Sequence, residues 1–588
     1  MNKEWDLSPL YTGLESPEFL ADFAALEALS AEFNALCADL PAENRGEAIR
    51  KVLTLQEKIA EKAHRLYSYA ELRSAVNTGD EGAVNATAKL QKLLSDSSAA
   101  EAAFRIYVGK TEGLDDLIAA DPFLGEYAYL LRTMQDDAKY TLDEKVEEAL
   151  AKMNLSGGSA WENLQAYLTS TVTADYRGKK LTLSAVRNLA YDPDPAVRKD
   201  AYEAEVACYD KIRDGVCFAL NSLKQQVTTE CELRKGGSPL EMTLRASRMK
   251  KTTLDAMIRA IEEYLPVFWK YLRAKAKLLG YEGGLKWWDL FAPMGKNTAT
   301  YTVEDAKQYL LDHFRPFAPD MADMMARAFD EAWIDFYPHA GKVGGAFCAN
   351  LPMIRQSRVL TNFDGAFGDI VTLAHELGHA YHGMMIEEHR PLNLDYSMPV
   401  AETASTFNET VVMNAALDEA TDPEVKLGLL ESQLQDTTQI MCDIMSRYWF
   451  ETAVFEKAKQ GFAFPDELCE MMKQAQKRGY GDGLDLDTLN PYMWVCKSHY
   501  YSAGLSFYNF PYAFGGLFAA GLYAQYRREG EAFLPKYRAL LKATTVSSVE
   551  DVARMADIDL GDVNFWRSSL EIFKDRVEQF LKLAGAEE

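Results

Sequence analysis

The sequence predicts a mainly α-helical protein with a small β-sheet, and three observations lead to this fold class. Residues 16–40 and 46–78 carry apolar residues at spacings of three and four with charged residues between them, which is typical of amphipathic helices. Only two stretches, residues 169–184 and 337–363, have the short β-branched runs and glycines of strands and turns. At 588 residues the chain is longer than one hydrophobic core normally organises, so we expect at least two lobes or one large multilayer assembly.

The order of the predicted elements indicates a lobe boundary. The first lobe is a helical bundle that ends in a hairpin at residues 169–184, where β-branched and polar residues alternate around "RGKK". Helices resume after this hairpin, and a long one over residues 253–280 ends at Gly280. We therefore predict an N-terminal helical lobe over residues 1–185 and a second lobe over residues 186–588.

Composition argues against two classes of partner. A formal net charge of −25 disfavours binding to a phosphate backbone, which requires clustered Lys and Arg, so we expect no nucleic-acid partner. Residues 500–526 lack formal charges and are long enough to cross a bilayer, but they contain six Tyr together with Asn509, Pro511 and Gln525. In lipid these polar groups would lack hydrogen-bond partners. We therefore expect no membrane span and predict a buried wall of a cavity, lined with tyrosine hydroxyls.

The cysteines and the first residues predict a cytoplasmic location. The opening "MNKEWDLSPLY" has no apolar core of the kind that a secretory signal carries. The 8 Cys are scattered along the chain without a CxxC pair. We expect them to be reduced and mostly buried thiols.

The stretch "TLAHELGHAYHG", residues 372–383, carries the strongest chemical signal and follows closely after the predicted sheet. His375 and His379 are four residues apart, so on a helix they lie on one face and both imidazoles can reach one tetrahedral zinc ion. Glu376 lies beside the first histidine, where its carboxylate can act as a general base without being a ligand. The motif therefore predicts a helix that holds zinc and a catalytic carboxylate.

The third zinc ligand must come from another part of the chain, because a catalytic zinc site takes three protein ligands. His382 is the nearest candidate, but a helix raises it about 10.5 Å along the axis from the first motif histidine, which would strain a compact site. The metzincin pattern HExxHxxGxxH fails, because the chain has His382 and Met385 in place of Gly and His. Glu402 lies 402 − 379 = 23 positions beyond His379, on a further predicted helix that starts near Pro399 and can return a carboxylate to the metal.

Two other residues near this site have less certain roles. Glu409 lies seven positions beyond Glu402 on the same predicted helix face, and either orients a ligating imidazole or is an ordinary solvent-facing glutamate. His389 is a weaker rival ligand, since it lies in the charged run "EEHR", which is typical of a solvated helix end. The ligand set favoured by spacing is therefore His375, His379 and Glu402.

The motif and several other stretches together resemble a known family. "FDGAFGDIVTLAHELGHAYHG" followed by "VAETASTFNE" is similar to the zinc metallopeptidase family of oligoendopeptidase F and thimet oligopeptidase, and closer to the oligoendopeptidase F branch. Supporting stretches lie over most of the chain, namely "WDLSPLY", "NLSGGSAWENL", "WWDLFAP", "GGAFC" and "FYNFPYAFGG". The resemblance implies a large two-lobed helical peptidase with a deep substrate channel, whose catalytic lobe holds one zinc ion on His375, His379 and Glu402.

The same resemblance implies roles for the uncharged stretch and a class of substrate. The family places a histidine and tyrosines of a C-terminal segment over the metal, and His499, Tyr508 and Tyr512 match them as residues that hydrogen-bond the substrate and the oxyanion. Phe510 departs from the alternating tyrosines of that branch, so either Tyr508 or Tyr512 is left to stabilise the oxyanion. The "GGAFC" segment resembles an edge strand that pairs with an extended peptide, which implies broad specificity for short oligopeptides.

The activity implied is zinc-dependent hydrolysis of internal peptide bonds with Glu376 as the base, and two alternatives stay open. A zinc exopeptidase, either a carboxypeptidase or an aminopeptidase, would share the ligand set and add a charged group that clamps a chain terminus. A non-catalytic peptide-binding protein with a structural zinc would have no use for Glu376, which is present. The oligomeric state does not follow from the motif.

Overall fold

The computed structural model describes residues 3–295 and 299–586, and it is 71% helical. This confirms the predicted mainly α fold class. The helices of the first half are α1 (Pro17–Ala38), α2 (Arg45–Val76), α3 (Glu81–Ser95), α4 (Ser98–Gly109), α5 (Leu114–Ala120), α6 (Pro122–Glu126), α7 (Ala128–Asp137), α8 (Glu144–Ser156), α9 (Gly158–Thr171), α10 (Leu183–Asn188), α11 (Pro195–Tyr209), α12 (Arg213–Leu233), α13 (Pro239–Ala246) and α14 (Lys251–Leu278). The second half contains α15 (Val303–Phe314), α16 (Pro319–Asp330), α17 (Phe367–Ile386), α18 (Met398–Ala401), α19 (Thr403–Glu419), α20 (Pro423–Thr438), α21 (Ile444–Ala458), α22 (Pro465–Tyr480), α23 (Met493–Cys496), α24 (Phe510–Glu529), α25 (Phe533–Ala543), α26 (Val549–Arg554) and α27 (Val563–Leu583).

The chain forms two compact units, and each is built from three separate segments of sequence. Unit 1 consists of Met1–Thr141, Ala299–Val412 and Glu529–Asp557, and unit 2 consists of Leu142–Thr298, Met413–Arg528 and Ile558–Glu588. A lobe boundary at residue 185 stays a prediction, because these units are defined by packing within each unit and not by independent folding.

The hairpin predicted at residues 169–184 is present in unit 2. Strands β1 (Thr173–Tyr176) and β2 (Lys179–Thr182) pair in antiparallel register. The two residues between them, Arg177 and Gly178, have positive φ angles of 46° and 78°, as a two-residue turn of type I′ requires. Glycine adopts this conformation without a steric penalty, which explains why the turn falls at "RG".

The small sheet predicted before the histidine motif lies in unit 1. Its strands are β3 (Ile334–Asp335), β4 (Phe347–Leu351) and β5 (Gln356–Leu360), in the order β3–β5–β4. β5 pairs in parallel with β3 and antiparallel with β4. Within the described residues β4 pairs with β5 alone, so the other edge of β4 is an outer edge of the sheet.

Apolar packing joins this sheet to the N-terminal helices and to α17. Leu351 of β4 is buried in one cluster with Leu66 and Tyr69 of α2. Gly383 of α17 lies against the Asn350 side chain of β4, and a Cβ added at Gly383 would be 2.4 Å from Asn350 Cγ. Glycine at this position therefore allows α17 to approach the edge strand closely.

The uncharged stretch at residues 500–526 folds mainly as α24. Side chains of this helix are buried in an unbroken run from Ala513 to Tyr523, which confirms the predicted burial for this part of the segment. Among the residues that the structure describes, none of the helices combines the length and the apolar character that crossing a bilayer requires. The lining of a cavity by tyrosine hydroxyls stays a prediction.

Candidate active site

α17 carries the motif residues, and a local side chain fixes where this helix begins. The Asp369 carboxylate accepts hydrogen bonds of 2.9–3.1 Å from the backbone N–H groups of residues 364–366. These bonds satisfy donors that the start of a helix leaves unpaired. Leu373 and Leu377 bury one side of the helix completely, whereas the imidazoles of the motif stay partly exposed.

The backbone of α19 packs directly against the backbone of α17. A Cβ at Gly378 would be only 2.6 Å from Cα of Ser405, so a larger residue does not fit between the two helices. The Asn408 side chain donates a hydrogen bond of 3.1 Å to the Ala374 carbonyl and joins the helices a second time. This close approach places Glu402, directly before α19, beside the motif.

The predicted helix after Pro399 is two helices, and Glu402 lies between them. α18 ends at Ala401 with Pro399 in its first turn, and α19 begins at Thr403. Glu402 has φ −90° and ψ 10°, which departs from helical backbone. The prediction of one continuous helix is therefore wrong, and we relate the break to the close packing of α17 and α19 at Gly378, which fixes the course of α19.

The structure brings His375, His379 and Glu402 together. The Nε2 atoms of both imidazoles lie 3.3 Å from Oε2 of Glu402, and one candidate ligand atom of each residue lies within 4.8 Å of the others. The two imidazole rings are nearly perpendicular, with centroids 4.9 Å apart. Two imidazoles and one carboxylate form a donor set of catalytic zinc sites, with a fourth position left for water. Among the described residues this is the group that could hold a metal ion.

Glu409 contacts the outer ring nitrogen of His375. Its Oε1 accepts a hydrogen bond from Nδ1 of His375, which leaves Nε2 as the nitrogen that faces Glu402. Glu409 therefore has the position of a residue that orients an imidazole. Burial lowers the pKa of His375, but the hydrogen bonds to Glu402 and Glu409 outweigh it and raise this pKa to about 10. Burial raises the pKa of Glu402, yet the two imidazoles hold it well below its usual range.

Glu376 is buried next to the three candidate ligands. Burial raises the pKa of its carboxyl, and the charges of His375 and His379 oppose this rise. A carboxyl with a raised pKa accepts and holds a proton more readily, as a general base requires. Burial and the charge of Glu376 also raise the pKa of the Cys348 thiol on β4, so this thiol stays protonated beside the carboxylate.

The two other histidines near the motif contact threonines instead. His382 is completely buried, its Nε2 is 2.8 Å from Thr544 Oγ1, and its ring stacks on Tyr396 with centroids 4.4 Å apart. His389 lies beyond the end of α17, with Nδ1 2.7 Å from Thr545 Oγ1. Both imidazoles therefore have partners of their own outside the three-residue group.

Two further residues support the candidate ligands and were not identified from the sequence. Ser405 donates a hydrogen bond of 2.8 Å to Oε2 of Glu402, and its only sequence signal is a spacing of three from that residue. Asn350 of β4 donates a hydrogen bond of 3.3 Å to the carbonyl of His379 and accepts one of 2.9 Å from Ser357. No local pattern links Asn350 to His379, because 29 positions separate them in the chain.

Unit 1 also contains a cavity of about 1300 Å³ next to α17 and β4. Its lining includes Asn350, Gly383 and Tyr396, together with charged residues of α2. Pockets for single small molecules usually measure about 300–1,000 Å³. This cavity therefore has room for a ligand larger than a typical small molecule.

In unit 2, the three residues singled out in the C-terminal segment form one cluster of rings. The His499 centroid lies 5.2 Å from that of Tyr508 and 6.0 Å from that of Tyr512, and the tyrosine centroids are 5.4 Å apart. Burial, with the charges of Arg447 and Lys497, lowers the pKa of His499 to about 4. The imidazole is therefore neutral at neutral pH. The cluster offers hydrogen-bonding groups that carry no net charge.

A buried network holds the segment that carries these tyrosines. Lys224 Nζ lies 2.7 Å from Oε1 of Glu451, and the Asn509 side chain donates a hydrogen bond of 3.0 Å to Oε2 of Glu451. The Phe510 N–H in turn donates a 2.7 Å hydrogen bond to Asn509 Oδ1. Breaking a buried ion pair costs about 3–5 kcal/mol, so such a network resists displacement. It fixes the backbone between Tyr508 and α24.

Family models match most of the chain. The model of peptidase family M3 matches residues 188–572, which is more than half of the sequence, and the oligopeptidase F model matches residues 110–173. The chain belongs to peptidase family M3. It is therefore a metallopeptidase, which confirms the resemblance to oligoendopeptidase F stated from the motifs.

Relatives of this M3 peptidase align along nearly its whole length. Oligopeptidase PepF of Bacillus subtilis is 24% identical, and the alignment covers 95% of this chain and 86% of that protein. Group B oligopeptidase PepB of Streptococcus agalactiae is 22% identical, with 99% and 97% covered. The crystal structure of oligoendopeptidase-F from Enterococcus faecium matches with a TM-score of 0.72 at 18% identity, covering 96% of this chain and 99% of that one. This structural likeness shows a shared fold.

Proposed function

We propose that this M3 peptidase is a zinc-dependent endopeptidase that hydrolyses internal bonds of short oligopeptides. The convergence of His375, His379 and Glu402 carries the proposal, because this donor set with Glu376 beside it suits a catalytic zinc site. A structural zinc site is instead closed by a fourth protein ligand, and it needs no neighbouring base.

In this proposal His375, His379 and Glu402 hold the zinc ion, and Glu409 keeps His375 in the tautomer that presents Nε2. Zinc, when bound, supplies Lewis acidity that activates water and polarises the scissile carbonyl. Glu376 takes the proton of the attacking water and delivers it to the leaving amine. Its burial and its raised pKa support this role.

We assign His499, Tyr508 and Tyr512 to hydrogen bonds with the substrate and its developing oxyanion. A phenol hydroxyl is a neutral donor, and one such donor in a water-poor site contributes on the order of 3 kcal/mol to the transition state. Tyr512 keeps 40% of its surface exposed, so it is the more accessible of the two tyrosines. Accessibility supports Tyr512 over Tyr508 as the group that reaches the oxyanion.

The outer edge of β4 suits an extended peptide. Backbone groups on an unpaired strand edge bind a peptide through main-chain hydrogen bonds, which tolerate many side chains. Gly344 and Gly345 lie just before this strand, separated from it by Ala346, and an added Cβ would meet nothing within 4 Å at either glycine. The cavity of about 1300 Å³ beside β4 and α17 supports a substrate of several residues. We therefore propose oligopeptides of varied sequence as substrates.

We also propose a cytoplasmic location. All eight cysteines are free thiols, whereas disulfide frameworks are typical of small secreted domains. Free thiols are the state that a reducing compartment maintains.

Product mapping on peptides blocked at both ends tests the proposal. Mass spectrometry should find internal cuts, and elemental analysis of the same sample should find about one zinc per chain. Glu376→Gln should keep its zinc and lose about 10²–10⁴-fold in turnover, because it removes the base and leaves the ligands in place. Cleavage that requires an unblocked terminus would establish an exopeptidase instead, and full turnover by Glu376→Gln would remove Glu376 from the role of base.

A further inference from the structure

Unit 2 contains a second cavity, of about 500 Å³, which is not lined by the residues assigned to catalysis. It lies among α10, α11, the turn Trp287–Asp289, the π-helical turn Gln439–Asp443 and the end of α23. Its volume falls in the range of small-molecule sites. π-Helical turns inside helical segments occur frequently at functional sites. Both observations make this cavity a candidate binding site.

The charged side chains of this cavity do not balance. The charged residues that line the cavity, counted together with their ion-pair partners, have a net charge of 4 − 3 = +1. The cations are Arg187, Arg198, Arg447 and Lys497, and the anions are Glu205, Asp289 and Asp443. Each anion is paired with one arginine, as in the pair of Arg198 Nη2 and Asp289 Oδ1 at 2.7 Å. One negative charge would complete the group.

Lys497 is the cation left over from this pairing. Within the residues that the structure describes, it forms no ion pair, although the charge of Asp443 acts on it. Its ammonium lies in the wall of the cavity, where burial lowers its pKa. Desolvation of an ammonium is unfavourable unless an acceptor compensates it. A carboxylate in the cavity would supply both the acceptor and the missing charge.

Aromatic rings form much of the remaining wall. Tyr191, Tyr202, Trp287, Trp288 and Phe291 all line the cavity. Two of the ring pairs have short centroid distances, 4.9 Å for Tyr191 with Phe291 and 5.4 Å for Tyr202 with Trp288. Tyr191 is 56% exposed, so the aromatic wall reaches the surface of the unit. Such a wall favours a flat, apolar ligand group.

We propose that this cavity binds a small carboxylate that carries an aromatic ring. The carboxylate pairs with Lys497, and the ring packs against the tryptophans and tyrosines of the wall. Arg187 adds donors, because it also lines the cavity and its guanidinium has five N–H groups, of which Nε lies 3.2 Å from Oε1 of Glu205. The proposal does not rest on peptidase activity, since no group that binds or cleaves a peptide takes part in it.

Three ligands with the same ring test the proposal on the full-length, unaltered protein. Calorimetric titration compares 3-phenylpropionate, its neutral amide and phenethylamine. We expect 3-phenylpropionate to bind once per chain, the amide to bind at least about tenfold more weakly because a charge-assisted bond is lost, and the amine to bind least. The titrations are repeated after removal of metal with a chelator, because carboxylates also bind zinc. Binding that survives this treatment belongs to the cavity.

A variant of Lys497 and a matched control test whether this lysine binds the carboxylate. Lys497→Met should weaken 3-phenylpropionate at least about tenfold, whereas Lys180→Gln, which removes the same charge from an exposed position on β2, should leave its affinity unchanged. Equal affinity for the acid and the amide, absence of binding by the metal-free protein, or unchanged affinity in a folded Lys497→Met protein would each overturn the proposal. The ligand series needs no variant, so it decides the question even where Lys497→Met does not fold.

Discussion

His375 is held through both of its ring nitrogens. Nδ1 donates a hydrogen bond to Glu409, and Nε2 faces Glu402 at 3.3 Å. Because a metal ion binds a nitrogen without a proton, the contact of Nδ1 with Glu409 leaves Nε2 as the nitrogen for the ion and fixes the ring plane. Glu402 is therefore a candidate metal ligand, whereas Glu409 orients the imidazole, and the two roles should differ in their effect on metal binding.

Replacing each carboxylate separately should rank them by their effect on metal binding. Glu402→Ala removes a candidate ligand and should weaken zinc binding far more than Glu409→Ala, which removes an orienting partner and should cost about 10–100-fold. His389→Ala should have no effect, because its imidazole contacts Thr545 instead. Competition with a chromophoric chelator measures the three affinities. A larger loss for Glu409→Ala than for Glu402→Ala would reverse the ligand assignment.

The burial of His382 predicts a dependence of stability on pH. Burial lowers its pKa to about 3, whereas the unfolded chain titrates near 6.5. Below pH 6.5 the unfolded state therefore binds the proton that the folded state cannot take, and stability falls by on the order of 1.4 kcal/mol per pH unit until the folded pKa is reached. The loss of melting temperature from pH 7 to pH 5 should be smaller in His382→Gln than in the unaltered protein. His339→Gln, at an exposed histidine, is the control and should behave like the unaltered protein.

At the scale of elements, the distance between α17 and α19 determines where Glu402 lies. Gly378 allows the two backbones to meet, and Asn408 joins them through the Ala374 carbonyl. Gly383 of the same helix leaves room for the Asn350 side chain of β4. Two glycines of α17 therefore allow both α19 and β4 to pack closely against this helix.

Gly378→Ala should separate the helices and disturb the site. The added Cβ would be 2.6 Å from backbone, which cannot move aside as a flexible side chain can, so we expect a loss of about 1–3 kcal/mol in stability together with weaker zinc binding. Gly368→Ala on the same helix is the matched control, because its Cβ would meet nothing within 4 Å. The control should keep its zinc affinity and melt at an equal or higher temperature. Equal zinc affinity and melting temperature in both variants would show that α19 adjusts at no cost.

Local sequence patterns predicted the individual helices and strands, but they could not predict how elements far apart in the sequence pack against each other. The motif helix and the hairpin follow from spacings of four and two residues, and Glu402 followed from the need for a third ligand on a returning helix. The break at Glu402 was missed, because nothing in the residues around it indicates one, and the close packing at Gly378 to which we relate it involves a separate helix. Lys224 and Glu451 are 227 positions apart, so no pattern in either segment indicates that they pair.

At the scale of the whole molecule, each compact unit draws on three segments of the chain. In unit 1, Leu10 and Leu66 share one apolar core with Leu351 and Leu360, which come from a later segment. The hairpin at residues 173–182 lies inside unit 2, so a cut just after it divides that unit as well. Segments of this kind depend on one another for burial of their apolar surface.

A fragment of residues 1–185 should therefore lack a cooperative fold. We expect it to keep helical circular dichroism, to melt without a sharp transition and to bind a hydrophobic dye, because the surface that packs on Leu351 and Leu360 is exposed. The full-length chain is the reference for both measurements. A sharp transition with little dye binding would instead establish residues 1–185 as an independent lobe.

The interrupted course of unit 1 also sets the timing of its assembly during synthesis. Its first segment ends at residue 141 and its last at residue 557, so 557 − 141 = 416 further residues must be made before the unit is complete. At about 5–20 residues per second this takes about 20–80 s. For about the first half of that time the apolar face of α2 that packs on Leu351 and Leu360 lacks these partners, and the candidate metal ligands of α17 emerge well before α25 brings Thr544 to His382. The nascent chain therefore has to be kept from aggregating long after its first helices have formed.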